Sequence, residues 1–164
     1  MNIVLLGFMG AGKTTVGKRL AARLGYWFID MDHQIEKEQD TKISDIFKEK
    51  GELFFRQLET DLLKQLTTVN NTIISTGGGI LTSPGHLDLI REIGRSVYLE
   101  ADIETLFERA SRTNVRPLLQ TKDPLQTVKT LFAKRENLYQ LAEITISTPL
   151  KSKQRIISEI IRSL

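Results

Sequence analysis

The chain contains no cysteine, which excludes disulfide bonds and thiolate metal sites. It has only two histidines, His33 and His86, and they are too far apart in sequence to indicate a histidine zinc site. No apolar run approaches the length of a transmembrane helix. The net charge is only +3, too small and too dispersed to indicate a nucleic-acid partner. We therefore expect a soluble, cytoplasmic protein with neither a nucleic acid nor a membrane among its partners.

The composition is ordinary for a globular protein. Of 164 residues, 40% are hydrophobic and 26% are charged, so we expect one domain over residues 1–164 with a substantial core. The first apolar run begins at residue 3, which leaves no room for a signal or transit peptide. We expect none.

One motif near the beginning of the chain organises the rest. Residues Gly7–Thr14 match G-x-x-x-x-G-K-[ST], between the apolar run Ile3–Leu6 and a helix-like stretch, Thr14–Leu24. Glycines let backbone N–H groups turn towards a phosphate, and the helix N-terminus also favours an anion. Lys13 suits the β- and γ-phosphates, and the Thr14 hydroxyl suits Mg²⁺. A chance match is made improbable by the flanking strand and helix, so the motif predicts a nucleoside triphosphate site.

Two carboxylates follow the second predicted strand, 26–29. Asp30 and Asp32 come at its carboxyl end, and parallel sheets bind ligands at that edge. One carboxylate is expected to serve Mg²⁺ and the other the phosphate acceptor. The alternative is that Asp32 merely caps a helix over residues 33–38.

The next segment predicts helices over 43–50 and 52–66, separated at Gly51. Arg56 and Glu59 are spaced to touch, and by themselves they would be interpreted as a surface pair of little energetic value. A third strand, 72–75, precedes Gly77-Gly78-Gly79, which permit positive φ angles and close approach of a ligand to the backbone. A merely flexible loop is the alternative. His86 is expected to be a plain surface residue.

The second half predicts a fourth strand over 96–99 and a helix over 103–111. A polar segment, about 112–123, carries arginines and is interpreted as a mobile lid over the phosphates, with a solvated connector as the alternative. A helix over 124–141, a fifth strand over 143–147, a turn over 148–151 and a helix over 153–164 complete the chain. The sum is an α/β protein, a mostly parallel five-stranded sheet with helices on both faces.

These motifs together resemble the shikimate kinases of the P-loop kinase superfamily. The resemblance spans nearly the whole chain in the family's order and spacing, and it is carried by Gly7–Thr15, Phe28–Asp32, Phe55–Glu59, Ser75–Gly79, Arg116–Leu119 and Arg135–Tyr139. It implies a three-layer α/β/α fold with a central five-stranded parallel sheet and a mobile lid. It also implies ATP-dependent phosphorylation of the 3-hydroxyl of shikimate with Mg²⁺, by an enzyme typically monomeric.

The resemblance implies roles for individual residues. Arg56 and Arg135 would clamp the substrate carboxylate, since guanidinium forks suit that group. Asp32 would grip substrate hydroxyls and act as the base, and Glu59 would orient Arg56. Gly78 would present a backbone N–H to the substrate, with Gly77 and Gly79 shaping the substrate-binding loop. Asp30 and Thr14 would hold Mg²⁺. The residues expected at the nucleotide are Gly10, Ala11, Gly12, Lys13, Thr14, Thr15, Arg109, Arg116, Pro149 and Lys151, with Arg109 and Pro149 sandwiching adenine and Lys13 and Arg116 catalytic.

The sequence departs from the family at two positions near these motifs. Phe8 stands where proline is usual, and Met31 where serine is frequent; the bulk of Phe8 is expected to point away from the phosphates. The turn at 147–151 is also less typical of the family.

Three rival functions remain to be weighed against this resemblance. A gluconate kinase would need a different acceptor site from Asp32, Arg56, Gly78 and Arg135. A GTP switch would need a guanine motif that Thr121-Lys122-Asp123 does not complete. A nucleic-acid-stimulated ATPase would need a more basic surface.

Overall fold

Five parallel strands lie at the centre of the computed structural model, which describes residues 1–112 and 121–164. In chain order they are β1 (Ile3–Leu6), β2 (Trp27–Asp30), β3 (Thr72–Ser75), β4 (Arg95–Glu100) and β5 (Ile144–Ser147). Their order across the sheet is β2-β3-β1-β4-β5, with every neighbouring pair parallel.

Helices connect the strands. They are α1 (Lys13–Leu24), α2 (Met31–Gln39), α3 (Ile43–Lys50), α4 (Glu52–Leu66), α5 (His86–Ile93), α6 (Ile103–Ser111), α7 (Pro124–Tyr139) and α8 (Lys153–Ser163), with a 3₁₀ turn at Ile80–Thr82. Helix α1 packs on α8, α4 packs on α5, and α6 packs on α7. The connection from β1 to β2 runs one way across the sheet, and the three later connections run the other way. Because parallel crossovers are right-handed, the helices therefore cover both faces of the sheet.

The apolar runs of the sequence become the central strands. Every residue of β1 and of β3 is buried, as expected for strands covered on both faces. The strands at the two edges of the sheet are less buried: the Trp27 side chain in β2 is 77% exposed, and β5 buries only Ile146. The core therefore lies around β3, β1 and β4.

The strand order places several loops together at the carboxyl ends of the strands. Strands β1 and β4 are neighbours, and the chain leaves β1 towards β2 but leaves β4 towards β5. The two connections diverge, so a crevice forms at the carboxyl ends of these strands. The register pairs Leu6 with Tyr98 and Asp30 with Ser75. The phosphate loop, the Asp30–Asp32 segment and the glycine triplet accordingly leave the sheet side by side.

The predicted fold class is confirmed. The predicted helix and strand ends lie within two residues of those observed; for example, α7 ends at Tyr139 rather than at residue 141. Of the predicted lid, 112–123, the part 113–120 lies outside the described residues, and Arg116 lies there too. Among the helices of the described ranges, none combines the length and apolar character needed to cross a membrane.

A buried asparagine joins the opposite, amino-terminal ends of the strands. The Asn2 amide nitrogen donates to the carbonyls of Val69 (2.7 Å) and Ile93 (3.0 Å), and its Oδ1 accepts from the Thr72 N–H (3.1 Å). One side chain thus satisfies three backbone groups from two connections and from β3.

Asn2→Ala is expected to leave these buried backbone groups unpaired. The expected loss is about 2–3 kcal/mol of unfolding free energy, or about 5–10 °C in melting temperature, measured by thermal unfolding. The matched control is Asn70→Ala, which truncates an exposed asparagine two residues before the start of β3. Equal melting temperatures for the two variants would contradict the bridging role of Asn2.

Candidate active site

The phosphate loop has the backbone shape expected of its glycines. Gly10 and Gly12 have φ angles of 78° and 90°, which side-chain-bearing residues rarely adopt. A β-carbon on Gly10 would also lie 2.5 Å from the Leu106 carbonyl oxygen of α6. The Lys13 ammonium donates to the carbonyls of Gly7 (2.6 Å) and Phe8 (3.1 Å), which holds this cation against the loop.

Phe8 points away from the concave side of the loop, as predicted. Its side chain is buried, and its ring meets the edge of Phe132 in α7 at a centroid distance of 5.4 Å. Phe8 thus forms an aromatic contact between the phosphate loop and α7.

A hydroxyl and a carboxylate meet at the start of α1. The Thr14 hydroxyl donates to Asp30 Oδ2 at 2.6 Å, and Asp30 Oδ1 accepts from the His33 N–H at 3.3 Å. Asp30 is therefore the N-cap of α2, and the alternative that Asp32 caps this helix is wrong, because Asp32 lies within the first helical turn. The described residues contain no cluster of three or more His, Asp or Glu side chains suited to a metal.

Two carboxylates lie against the first glycine of the triplet. A β-carbon on Gly77 would lie 2.8 Å from Asp32 Oδ1 and 3.2 Å from Glu59 Oε1. The glycine is needed because those carboxylates occupy the space that a side chain would take.

Two guanidinium groups lie against the other two glycines. A β-carbon on Gly79 would lie 2.5 Å from Arg56 Nη2, and one on Gly78 would lie 3.8 Å from Arg135 Nη1 and 3.5 Å from the Met9 amide nitrogen. None of the three glycines has a positive φ angle. Of the two properties that glycine permits, the triplet therefore uses close approach and not a positive φ angle.

Arg56 and Glu59 form a buried ion pair. Arg56 Nη1 lies 2.7 Å from Glu59 Oε2, and the two side chains are only 13% and 1% exposed. Burial works to lower the pKa of Arg56, but Glu59 and Glu52 together outweigh burial and raise that pKa. Burial raises the pKa of Glu59 despite the opposing charge of Arg56. An exposed carboxylate, Glu52, also contacts Arg56 at 3.1 Å. The interpretation of Arg56 and Glu59 as a surface pair is wrong, because Glu59 is buried and Arg56 is mostly buried.

The two residues expected to enclose the adenine, Arg109 and Pro149, lie close together in the structure. Arg109 Nη1 donates to the buried Thr148 hydroxyl at 3.2 Å, which brings this guanidinium beside the residue that precedes Pro149. The Lys151 ammonium pairs with Glu159 of α8 at 2.6 Å. Lys151 is thus already engaged by a carboxylate.

His86 is buried, not on the surface as predicted. Its Nδ1 lies 2.7 Å from the Ile80 carbonyl oxygen and its Nε2 lies 2.7 Å from the Thr60 hydroxyl, which is also 2.9 Å from the Arg56 carbonyl oxygen. A carbonyl only accepts, so Nδ1 carries a proton. Burial lowers the pKa of His86, with Arg56 acting in the same direction, so the neutral ring is favoured.

Several residues that shape the site were missed from sequence. Thr148 and Thr60 carry no recognisable signal, because isolated threonines are common in loops and helices. Tyr139 could have been identified from the sequence, since it lies one helical turn after Arg135 within the Arg135–Tyr139 motif. Its hydroxyl donates to the Gly78 carbonyl.

The phosphate loop faces two carboxylates and two guanidinium groups across Gly77, Gly78 and Gly79, whose bare backbone forms a glycine strip. This arrangement defines a P-loop kinase for a small, anionic acceptor. The family model described as Shikimate kinase matches residues 9–164. The chain belongs to the shikimate kinase family, and its activity is the ATP-dependent phosphorylation of shikimate.

Individual relatives agree with this assignment. The chain is 45% identical over 160 residues to a shikimate kinase of Persephonella marina, covering 98% of this chain and 96% of that protein. Among solved structures, the shikimate kinase from Acinetobacter baumannii in complex with shikimate is 39% identical, with a TM-score of 0.92 over 98% of this chain and 90% of that one. The Aquifex aeolicus enzyme is 37% identical, with a TM-score of 0.87 over 99% and 95%.

The buried histidine predicts an acid-sensitive contribution to stability. A lowered folded-state pKa means that His86 stabilises the fold above its unfolded pKa, about 6.5, and that this contribution is lost as the pH falls through the folded pKa. His86→Asn, which keeps a donor near Ile80 but does not titrate, is expected to show a shallower loss of urea midpoint between pH 7.5 and pH 5.

The exposed histidine provides the control for this experiment. His33→Asn is expected to retain the wild-type loss of stability at acid pH. Parallel pH curves for the wild type and His86→Asn would contradict the role of His86.

Proposed function

We propose that the enzyme transfers the γ-phosphoryl group of ATP to the 3-hydroxyl of shikimate, and that the residues at the carboxyl ends of the strands carry out this transfer. The hydroxyl oxygen forms a bond to the γ-phosphorus as the bond to the β,γ-bridging oxygen breaks. ADP leaves, and the hydroxyl proton passes to the carboxylate of Asp32. Most of the rate enhancement then comes from positioning and electrostatics.

The donor half is the phosphate loop and its surroundings. The backbone N–H groups of residues 10–15 bind the phosphates at the N-terminus of α1. The Lys13 ammonium exchanges its carbonyl contacts for the β- and γ-phosphates, which are stronger acceptors. Arg109 and Pro149 enclose the adenine, Lys151 contacts the nucleotide from its position beside Glu159, and Arg116 neutralises charge on the transferring group.

Thr14 and Asp30 are the residues that would hold Mg²⁺. Two protein oxygens in hydrogen-bond contact suit this ion, because Mg²⁺ usually keeps several waters and takes its remaining ligands from substrate phosphates. When bound, the ion supplies positive charge to the phosphate oxygens.

The acceptor half is arranged around Gly77, Gly78 and Gly79. Arg56 and Arg135 bind the shikimate carboxylate, Glu59 orients Arg56, and Asp32 accepts from the acceptor hydroxyls. The glycines admit the substrate to the backbone because no side chain stands there.

The larger organisation follows from these roles. The chain works as one domain over residues 1–164, in which about 33–66 binds the acceptor and about 112–123 closes over the phosphates. Closure excludes water, which would otherwise compete as the phosphoryl acceptor. The enzyme acts as a monomer in the cytoplasm and needs no nucleic acid.

One observation carries the proposal. The carboxylate of Asp32 and the guanidinium groups of Arg56 and Arg135 border a side-chain-free strip that begins at the carboxyl end of β3, next to the phosphate loop. Two cations with a carboxylate suit an acceptor with a carboxylate at one end and hydroxyls at the other.

An acceptor panel tests the function. ADP release is measured by a coupled assay with shikimate, gluconate or a nucleoside monophosphate. Of the three acceptors, we expect only shikimate to support turnover. If turnover with shikimate did not exceed the acceptor-free background, the proposal would be overturned.

Arg56→Ala is expected to raise KM for shikimate about 30- to 100-fold and to change KM for ATP little, because a charged hydrogen bond to the acceptor is lost. Since this variant leaves Glu59 buried without its partner, Arg56→Lys is measured beside it. The lysine keeps the charge but not the planar fork, so KM for shikimate should still rise.

The matched control is Arg91→Ala, which removes an exposed arginine from α5. It is expected to keep both KM values. If Arg56→Ala and Arg56→Lys raised the two KM values equally, Arg56 would lie outside the acceptor site.

A further inference from the structure

The carbonyl groups of the glycine triplet are all held by hydrogen bonds. The Gly77 carbonyl accepts from the Ile80 N–H at 3.2 Å. The Gly79 carbonyl accepts from the Thr82 N–H at 3.0 Å and from the Thr82 hydroxyl at 2.7 Å. These partners are three residues away, whereas the Gly78 carbonyl accepts from the hydroxyl of Tyr139, 61 residues further along the chain.

Each held carbonyl fixes the direction of an N–H group. All peptide bonds of the described residues are trans, and in a trans peptide the carbonyl and the following N–H point in opposite directions. The Gly77 carbonyl therefore orients the Gly78 N–H, and the Gly78 carbonyl orients the Gly79 N–H. Within residues 1–112 and 121–164, neither of these two N–H groups donates a hydrogen bond. They remain donors for a ligand.

Tyr139 is a rigid support for the middle peptide. Its side chain is 1% exposed, and its ring stacks on Tyr98 of β4 at a centroid distance of 5.3 Å and an interplanar angle of 26°. Tyr98 pairs in the sheet with Leu6, the residue before the phosphate loop. Burial raises the pKa of Tyr139 far above its usual range, so the hydroxyl stays protonated and can donate to the carbonyl.

Tyr139 also shares a helix face with the acceptor arginine. Arg135 lies four residues earlier in α7, so the two side chains are neighbours, and Arg135 Nη1 lies 3.8 Å from where a Gly78 β-carbon would stand. Phe132, a further turn back, contacts Phe8 of the phosphate loop. The hydroxyl of Tyr139 therefore ties the glycine strip to the helix that carries Arg135.

We propose that Tyr139 is a positioning residue for the phosphate acceptor: its hydroxyl holds the Gly78–Gly79 peptide so that the strip presents its N–H groups at a fixed distance from Arg135. This inference rests on the proposed function, because it takes the glycine strip as the acceptor-binding surface. A tyrosine that only satisfied a buried carbonyl would support both substrates equally. A positioning tyrosine acts on the acceptor alone.

Tyr139→Phe separates these two roles, because it keeps the stacked ring and removes only the hydroxyl. We expect kcat/KM for shikimate to fall about tenfold, mainly through KM, since a buried carbonyl loses its hydrogen bond where the acceptor binds. KM for ATP should stay within about twofold of the wild type. Calorimetric titration of shikimate into the protein should show a similar loss of affinity.

The matched control is Tyr98→Phe, which removes the hydroxyl of the other tyrosine in the stack. No hydrogen bond within the described ranges joins that hydroxyl to the glycine strip, so both KM values are expected to stay near wild type. Melting temperatures of both variants are measured alongside the kinetics.

Two outcomes would overturn the inference. Unchanged kinetics in Tyr139→Phe would show that the hydroxyl does not position the acceptor, and an equal rise of both KM values would show a general structural role. Both are judged against a wild-type enzyme that phosphorylates shikimate. A wild type inactive with shikimate would instead overturn the proposed function, and with it the inference.

A second readout does not depend on turnover. With ¹⁵N-labelled glycine, the amide resonances of Gly78 and Gly79 are expected to shift in Tyr139→Phe and not in Tyr98→Phe. Unchanged resonances in Tyr139→Phe would overturn the proposed restraint on the Gly78–Gly79 peptide.

Discussion

The bare backbone of Gly77, Gly78 and Gly79 is the constraint on which the placement of the surrounding charged groups depends. The Arg56 guanidinium and the Asp32 carboxylate stand within 3 Å of positions that β-carbons on Gly79 and Gly77 would occupy. A side chain at either glycine would push a charged group away, and the buried pair of Arg56 and Glu59 would be disturbed with it. Burial of such a pair costs free energy, so its presence here is better explained by the placement of a guanidinium than by stability.

Helix α7 connects the two halves of the site. Successive turns of one face place Phe132 against Phe8 of the phosphate loop, Arg135 beside Gly78, and the Tyr139 hydroxyl on the Gly78 carbonyl. A rigid helix that touches both loops can keep them in a constant relation, and with them the proposed donor and acceptor sites. Phosphoryl transfer needs such a relation, because its rate depends on the in-line placement of the attacking oxygen.

The two ends of the sheet serve different purposes. At the amino-terminal end, Asn2 satisfies backbone groups of three segments with one side chain, which is a contribution to stability. At the carboxyl-terminal end, the strands lead into the loops that carry the phosphate loop, Asp30 and Asp32, and the glycine triplet, which are the groups of the proposed active site. His86 and Thr60 lie behind that surface and connect the 3₁₀ turn after the glycine strip to α4, so part of the support for Arg56 comes from a buried polar chain.

The sequence by itself determined the strands, the helices, their parallel arrangement and the phosphate loop, because these depend on local periodicity and on glycine spacing within a few residues. Resemblance to a family added the residues proposed to bind the acceptor. Only the tertiary structure decided that Arg56 and Glu59 are buried, that Asp30 rather than Asp32 caps α2, and that His86 lies inside. It also decided which carbonyl Tyr139 holds. The burial of Arg56, Glu59 and His86 and the carbonyl that Tyr139 holds depend on contacts between segments that are distant along the chain, and no local pattern specifies them. The cap of α2 is a local choice between two nearby aspartates, and the packing of the segment decided it.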